Sequence, residues 1–112
     1  MVEIFKALAE ESRLRILSLV LQNDMCVCEI EYCLKLKQSN ISRHLSALKN
    51  SGLLDSYKQA QWVYYTVNKD FMKDHQNLWV YLEEKLKELP SFQADHEGMR
   101  TCKLENICKA KT

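Results

Sequence analysis

The sequence predicts one mainly α-helical domain that carries a single small β-hairpin. The chain has 112 residues, enough for one packed core, and it contains only two glycines and one proline. Apolar residues recur every three or four positions through most of its length, which is the period of amphipathic helices. A hydrophobic content of 46% and a charged content of 28% are typical of a soluble globular protein. A disordered chain is therefore excluded.

Four helices are predicted in the first half of the chain. Apolar spacing places two short helices at about residues 4–8 and 14–21, and a third from about residue 27 to residue 36. A fourth helix is expected at about residues 38–50. Gly52 follows it closely, and glycine suits the left-handed conformation that ends many helices. The fourth helix is therefore expected to stop there.

The second half begins with a hairpin and continues with a long helix. Two runs rich in aromatic and β-branched residues, 54–57 and 62–67, flank a polar segment that predicts the turn. Helical spacing returns from about residue 69 to residue 89, and Pro90 ends the helix. The polar and charged residues 91–112 predict a tail that is mobile or docked on a partner.

Positive charge is concentrated in the middle of the chain, although the net charge is only +1. Residues 35–58 contain five Lys or Arg against one Asp or Glu, whereas residues 1–34 contain three against six. Residues 59–112 are balanced, with eight of each sign. A polyanion such as a nucleic acid is therefore expected to contact the middle segment.

Two helices joined by a tight connection and followed by a hairpin are the order of a helix-turn-helix with a wing. We expect the helix at residues 38–50 to read DNA, because its apolar stripe leaves an opposite face of hydroxyls and cations. Arg43 can reach guanine, Asn and Gln side chains can pair with adenine, and the helix N-terminus favours phosphate. His44 either touches the DNA backbone or packs beside Leu48. The candidate DNA-contacting residues are Gln38, Ser39, Asn40, Ser42, Arg43, His44, Ser46, Lys49 and, in the hairpin, Lys58.

The chain contains five cysteines, an odd number, and its N-terminus shows no export signal. No apolar stretch approaches the roughly 20 residues that a membrane span requires. We therefore expect a cytoplasmic protein that contacts no membrane, and thiols rather than a disulfide framework. Such thiols bind soft metal ions, respond to oxidants or fill the core.

Several sequence motifs together resemble the ArsR/SmtB family of metal-sensing repressors. The motifs lie at residues 7–10, 13–17, 26–30, 38–45, 51–54 and 63–67. The resemblance implies a homodimeric winged helix in which the first and last helices form the interface and ligand binding releases the operator. The Cys-Val-Cys motif at Cys26 and Cys28 resembles the arsenic- and cadmium-sensing branches. The zinc-sensing pattern is mostly absent, since Met72 stands where that branch has a histidine.

Helix geometry limits which thiols can share one ion. In an unbroken helix Cys28 and Cys33 are about 140° apart around the axis and roughly 7.5 Å apart along it, so they point to different sides. Cys26 precedes the helix and can converge with Cys28 if the first turn is distorted. We favour burial for Cys33, which stays an alternative ligand. The third thiolate is expected from Cys102 or Cys108, because related sensors supply thiolates from a terminal arm.

The favoured interpretation is a homodimeric transcriptional repressor that binds double-stranded operator DNA and is released by As(III) or Sb(III). Cd(II) and Pb(II) stay open as inducers. Residues 1–90 are expected to form the winged-helix DNA-binding and dimerisation domain, and residues 91–112 the cysteine-bearing tail. An alternative keeps this fold but makes the thiols a redox or persulfide sensor. A small thiol enzyme is disfavoured, because no thiol has an evident anion-binding loop or a paired base, and we expect no enzymatic activity.

Overall fold

The computed structural model describes residues 1–106 and Cys108. Its first half contains four helices, as predicted: α1 (Val2–Leu8), α2 (Glu11–Gln22), α3 (Val27–Leu34) and α4 (Gln38–Asn50). The bounds of α4 agree with the prediction. Helix α3 ends earlier than predicted, because its C-cap residue Lys35 adopts a left-handed conformation with φ 57°.

The wing is a three-stranded antiparallel sheet in the order β1-β3-β2. Its strands are β1 (Met25–Cys26), β2 (Leu54–Gln59) and β3 (Trp62–Val67). The predicted hairpin is confirmed, and its turn holds Ala60 at φ 56°. Strand β1 is an addition to the prediction, because two residues are too few to show an alternating pattern. It pairs Cys26 with Tyr64 of the central strand.

The helix predicted over residues 69–89 is interrupted. It consists of α5 (Lys69–Asp74), α6 (Gln76–Lys85) and a 3₁₀ turn (Leu86–Glu88). The break is at His75, whose backbone leaves the helical region with φ −128° and ψ 49°. Its ring lies against Phe71, with ring centroids 5.6 Å apart. Buried apolar residues lie on both sides of the break, with Phe71 before it and Leu82 and Leu86 after it. Apolar spacing alone therefore predicts one continuous helix.

Residues 92–105, expected to belong to a mobile or partner-docked tail, instead form a packed helix, α7 (Phe92–Glu105). This helix lies against α2 and α3. Arg15 of α2 donates hydrogen bonds of 2.9 Å to both carboxylate oxygens of Asp95. Ser18 Oγ lies 2.9 Å from His96 Nε2. The expectation of a mobile tail is therefore wrong for this segment.

Apolar spacing does not predict α7, because the buried face of this helix is partly polar. Asp95 and His96 are buried together with Met99, whereas apolar spacing reveals a helix only where the buried face is apolar. Helix α7 passes close to α3 at Gly98, where a Cβ atom would lie 3.6 Å from Cys33 Cα, an ordinary van der Waals distance. Residues 107 and 109–112 of the predicted tail lie outside the described residues.

The core lies between the helices and one face of the wing. The side chains with almost no solvent exposure are Ile16, Leu17, Leu19, Met25, Ile30, Ile41, Leu45, Leu48, Leu53, Leu54 and Cys102. This arrangement confirms the predicted mainly helical fold with a β-hairpin wing. Among the residues that the structure describes, no helix combines the length and apolar character needed to cross a membrane.

Candidate nucleic-acid interface and thiol sites

Helix α4 has a buried face and an exposed polar face. Ile41, Leu45 and Leu48 are fully buried against the core. Seven of the predicted DNA-contacting side chains are exposed: Gln38, Ser39, Asn40, Ser42, Arg43, Ser46 and Lys49. The amphipathic pattern thus fixes which side of α4 is available to a DNA groove.

The two ends of α4 differ in their partners. At the N-terminus, Lys37 precedes the helix and supplies no side-chain cap for the first backbone N–H groups. Backbone N–H groups at the start of a helix are suited to binding a phosphate. Near the C-terminus, Lys49 Nζ donates to Ser56 Oγ at 2.7 Å and so connects α4 to β2. Lys58 is exposed farther along the same strand. The positive charge of α4 and of the wing therefore lies on neighbouring elements.

His44 is the exception among the predicted DNA contacts. Its side chain is only 3% exposed, and its Nε2 lies 3.2 Å from Glu10 Oε1. Burial lowers the pKa of His44, and the positive charges of Arg43 and Arg13 act in the same direction while Glu10 opposes them. The alternative in which His44 packs inside the protein is therefore the one that the structure supports. His44 is removed from the DNA-contacting set.

Cys26 occupies the N-cap position of α3 at the end of β1. Its sulfur faces the backbone N–H of Glu29, while the Cys26 N–H donates to Glu29 Oε1 at 3.1 Å, which makes a reciprocal capping box. Burial raises the pKa of the Cys26 thiol, even though the backbone N–H groups of Glu29 and Cys28 oppose the shift. Glu29 was not among the predicted site residues, although its place three residues after the N-cap is the capping-box spacing.

Cys28 pairs with Cys108 beyond the end of α7, and their sulfur atoms form a disulfide. The Cα atoms of the two residues are 5.9 Å apart, although 80 residues separate them in the chain. The odd number of cysteines and the lack of an export signal predicted thiols, so the Cys28–Cys108 disulfide departs from that expectation. No local sequence pattern can reveal a pair so distant in the chain. The Cys-Val-Cys motif and the C-terminal segment therefore meet at Cys28.

Cys33 and Cys102 are also buried where α3 packs on α7. The pKa of Cys33 is raised to about 12, mainly because the thiol is buried and to a smaller extent because Cys102 is nearby. Burial of Cys33 agrees with its expected place in the core, and Cys102 lies close enough to Cys33 to affect its pKa. Within residues 1–106 and Cys108, no three His, Cys, Asp or Glu side chains converge to hold a metal ion.

A cleft of about 340 Å³ opens beside the start of α3. Its lining includes Cys26, Cys28, Glu31, Gln38, Gln61 and Trp62. These residues belong to the end of β1, to α3, to the first turn of α4 and to the tip of the wing. A ligand bound in this cleft next to Cys26 and Cys28 would therefore touch both α4 and the wing, the two elements that are expected to contact DNA.

Comparison with known proteins agrees with this architecture. Residues 10–56 match the family model described as "Bacterial regulatory protein, arsR family". The chain is 40% identical over 68 residues to an arsenic resistance transcriptional regulator of Pseudomonas putida, a match that covers 60% of this chain and 53% of that protein. It is 42% identical over 72 residues to the transcriptional activator HlyU of Vibrio cholerae, covering 64% of this chain and 67% of that protein.

Solved structures show the same fold. The structure of HlyU from Vibrio cholerae is similar with a TM-score of 0.61 at 40% identity, covering 72% of this chain and 88% of that one. A homodimeric winged helix-turn-helix DNA-binding domain from Mycobacterium bovis is similar with a TM-score of 0.64 at 26% identity, covering 75% and 78%. The chain spans only about half the length of the arsenic regulator from Pseudomonas putida. From these matches and from its fold, we conclude that the chain belongs to the arsR family of DNA-binding transcriptional regulators.

Proposed function

We propose that this protein is a cytoplasmic, homodimeric transcriptional repressor that leaves its operator when As(III) or Sb(III) binds its thiols. The observation that carries the proposal is the contact between the sulfur atoms of Cys28 and Cys108. Cys28 lies only two residues after Cys26, whose thiol caps α3. Arsenic resistance regulators among the relatives support this choice of inducer, and cadmium resistance regulators keep Cd(II) as an alternative, with Pb(II) beside it. Soft thiolate ligands favour ions of this class.

The proposed ligands are the thiolates of Cys26, Cys28 and Cys108. Two molecules of a cellular thiol first reduce the Cys28–Cys108 disulfide, which releases two protein thiols and one external disulfide. Both freed sulfurs already face the same space, and Cys26 becomes the third ligand when it leaves its capping position. Cys102 stays outside this set because it is buried near Cys33. The ion displaces the thiol protons as it binds.

This ligand set offers a short path to the DNA-binding surface. Cys26 is paired with Tyr64 in the central strand of the wing, and it also caps α3. Drawing its sulfur towards Cys28 disturbs both contacts. If the ion binds the DNA-free protein more tightly than the DNA-bound protein by some factor, it lowers operator affinity by that factor. A coupling free energy of about 1–3 kcal/mol between two such sites is ordinary.

The proposed dimer interface uses the first helix and the helix after the wing. Val2 and Phe5 of α1 and Val80 and Tyr81 of α6 are large apolar side chains that are more than half exposed in the single chain. Both helices line one common cavity of about 450 Å³, so their surfaces are adjacent. A second copy of the chain would remove this apolar surface from water.

A second candidate function follows from the Cys28–Cys108 disulfide itself. In this alternative the two thiols lose two electrons and two protons to an oxidant such as a disulfide or a persulfide, and operator affinity changes with the oxidation state. No ion is then required. The two candidates differ in the mass of the responding protein, because the bound ion adds its own mass whereas disulfide formation removes two hydrogens.

The test is binding of the reduced protein to an operator fragment, titrated separately with arsenite, antimonite, Cd(II), Pb(II) and Zn(II). We expect release by arsenite and antimonite, and loss of that response in Cys28→Ser and Cys108→Ser. Arg43→Ala should weaken operator binding by about 1–3 kcal/mol without inducer, because a base contact is lost. Release by an oxidant alone, with no response to any ion, would replace the proposal by the redox alternative.

A further inference from the structure

One lysine of α7 reaches across to the wing. Lys103 Nζ donates to the backbone carbonyl of Asp24 at 2.8 Å and to Glu29 Oε1 at 2.9 Å. It also lies 5.6 Å from the centre of the Tyr64 ring, close enough for a cation–π contact. A single ammonium group thus joins α7 to the segment before β1, to α3 and to the central strand of the wing.

The contact at Asp24 extends to the other long strand of the wing. Tyr57 of β2 donates its hydroxyl to Asp24 Oδ2 at 2.6 Å. The Tyr57 ring stacks on Tyr64 of β3, with centroids 5.8 Å apart. Asp24 therefore contacts Lys103 through its carbonyl and the wing through its carboxylate. Both β2 and β3 are connected to α7 through these groups.

The contact at Glu29 leads to the thiols. Glu29 is 6% exposed, and its Oε1 atom accepts hydrogen bonds from both Lys103 and the backbone N–H of Cys26. Without the lysine, the buried carboxylate would keep only one of these two donors, which is costly for a charge in the interior. The position of Glu29, and with it the start of α3, therefore depends on Lys103.

We propose that Lys103 is a positioning residue for DNA binding, through which α7 sets the orientation of the wing and relays a change at Cys26 and Cys28. The lysine touches no DNA in this scheme. It acts through Tyr64 and Asp24 on the wing and through Glu29 on the capped start of α3. The relay from the thiols rests on the proposed function, whereas the effect on the wing rests only on DNA binding by this family.

The test is a double-mutant cycle on operator affinity that combines Lys103→Met with Lys58→Ala on the wing. If Lys103 acts by positioning the wing, Lys103→Met weakens binding about tenfold, and the double variant binds within about twofold of Lys58→Ala alone. Lys103→Arg, which keeps a cation with several donors, should restore most of the affinity. Strictly additive effects of the two substitutions would overturn the inference.

The matched control is Asp95→Asn, which weakens a different contact between α7 and the body of the protein. Asp95 binds Arg15 of α2, and its contacts do not include the wing. We expect Asp95→Asn to keep near wild-type operator affinity after correction for any unfolded fraction. An equal loss in Asp95→Asn and Lys103→Met would show that Lys103 merely anchors α7, which overturns the inference.

The same cycle separates this inference from the proposed function. If the wild-type protein bound its operator but arsenite did not release it, the proposed function would fail while the cycle could still be measured. Amide chemical shifts of β2 and β3 give a readout without DNA. We expect Lys103→Met to move the shifts around Tyr57 and Tyr64, and unchanged shifts would count against the inference.

Discussion

The Cys26 side chain combines a structural and a chemical role that one substitution can separate. Its sulfur caps α3 in the reciprocal arrangement with Glu29, and the same sulfur is a proposed ion ligand. A serine hydroxyl caps a helix at least as well as a thiol, but it is a poor ligand for soft ions. The two roles of Cys26 are therefore distinguishable by experiment.

We predict that Cys26→Ser changes the free energy of unfolding by less than about 0.5 kcal/mol and abolishes release by arsenite. The matched control is Cys33→Ser, which places a hydroxyl in a buried site and should cost about 1–3 kcal/mol while leaving the arsenite response intact. Urea unfolding and operator release measure the two effects. An intact arsenite response in Cys26→Ser would remove Cys26 from the ligand set.

Single side chains of the candidate site differ in how far sequence alone could predict them. The exposed face of α4 follows from the spacing of Ile41, Leu45 and Leu48, so its polar residues were predictable. For His44 the sequence left two alternatives, DNA contact or packing beside Leu48, and the structure supports the packed one. Its partner Glu10 lies in the segment before α2 and could not be predicted. The Cys28–Cys108 pair is equally long-range, and nothing near either cysteine in sequence reveals it.

Helix α7 shows how a whole element can depend on buried polar groups. His96 is buried beside α2, with its Nε2 2.9 Å from Ser18 Oγ. Burial lowers the pKa of His96; the nearby Asp95 opposes this shift, and Arg100 reinforces it. The neutral imidazole is therefore the form that the docked helix favours. Protonation of His96 should weaken the packing of α7 on α2.

The pH dependence follows from the direction of this shift. An unfolded histidine has a pKa of about 6.5, so a lowered pKa in the folded protein means that the unfolded chain binds more protons. The stabilising contribution of His96 is fully present above about pH 6.5 and is lost as the pH falls through the folded pKa. We predict that unfolding free energies measured at pH 7.5 and 5.5 differ less in His96→Gln than in the wild type. Equal differences in the two proteins would contradict the assignment.

The elements with a regular apolar face were predictable, and those without one were not. Helix α4 and the hairpin show clear periods, because each packs one apolar face on the core. Helix α7 packs with Asp95 and His96, and β1 has only two residues, so neither carries a readable period. The sequence therefore predicted the winged-helix body, but not the helix that packs on α2 and α3.

In the whole molecule, the surface proposed for DNA, the surface proposed for the dimer and helix α7 occupy different places. The exposed face of α4 and the wing carry the groups proposed for DNA, and α7 covers α2 and α3 on another side. The exposed apolar surface of α1 and α6 is the one proposed to pack against a second copy. Helix α6 lies within residues 69–89, the last helix predicted from the sequence, so the proposed interface still uses the first and last helices of that prediction.

The dimer can be tested by placing a charge in this apolar surface. Phe5 is 54% exposed in the single chain, so Phe5→Asp should leave the fold intact but bury an unpaired carboxylate in the dimer. We predict a monomer in sedimentation and a loss of operator affinity of about 10²-fold or more, because the two half-sites are no longer bound together. The matched control is Leu104→Asp on α7, where the side chain is 83% exposed but lies outside the proposed interface. This variant should stay dimeric.

In a footprint, the wild type should protect two related half-sites about 34 Å apart, or a multiple of that distance, as two-fold symmetry requires. A wild-type monomer that protects one asymmetric half-site would contradict the dimer, and so would a Phe5→Asp variant that sediments like the wild type.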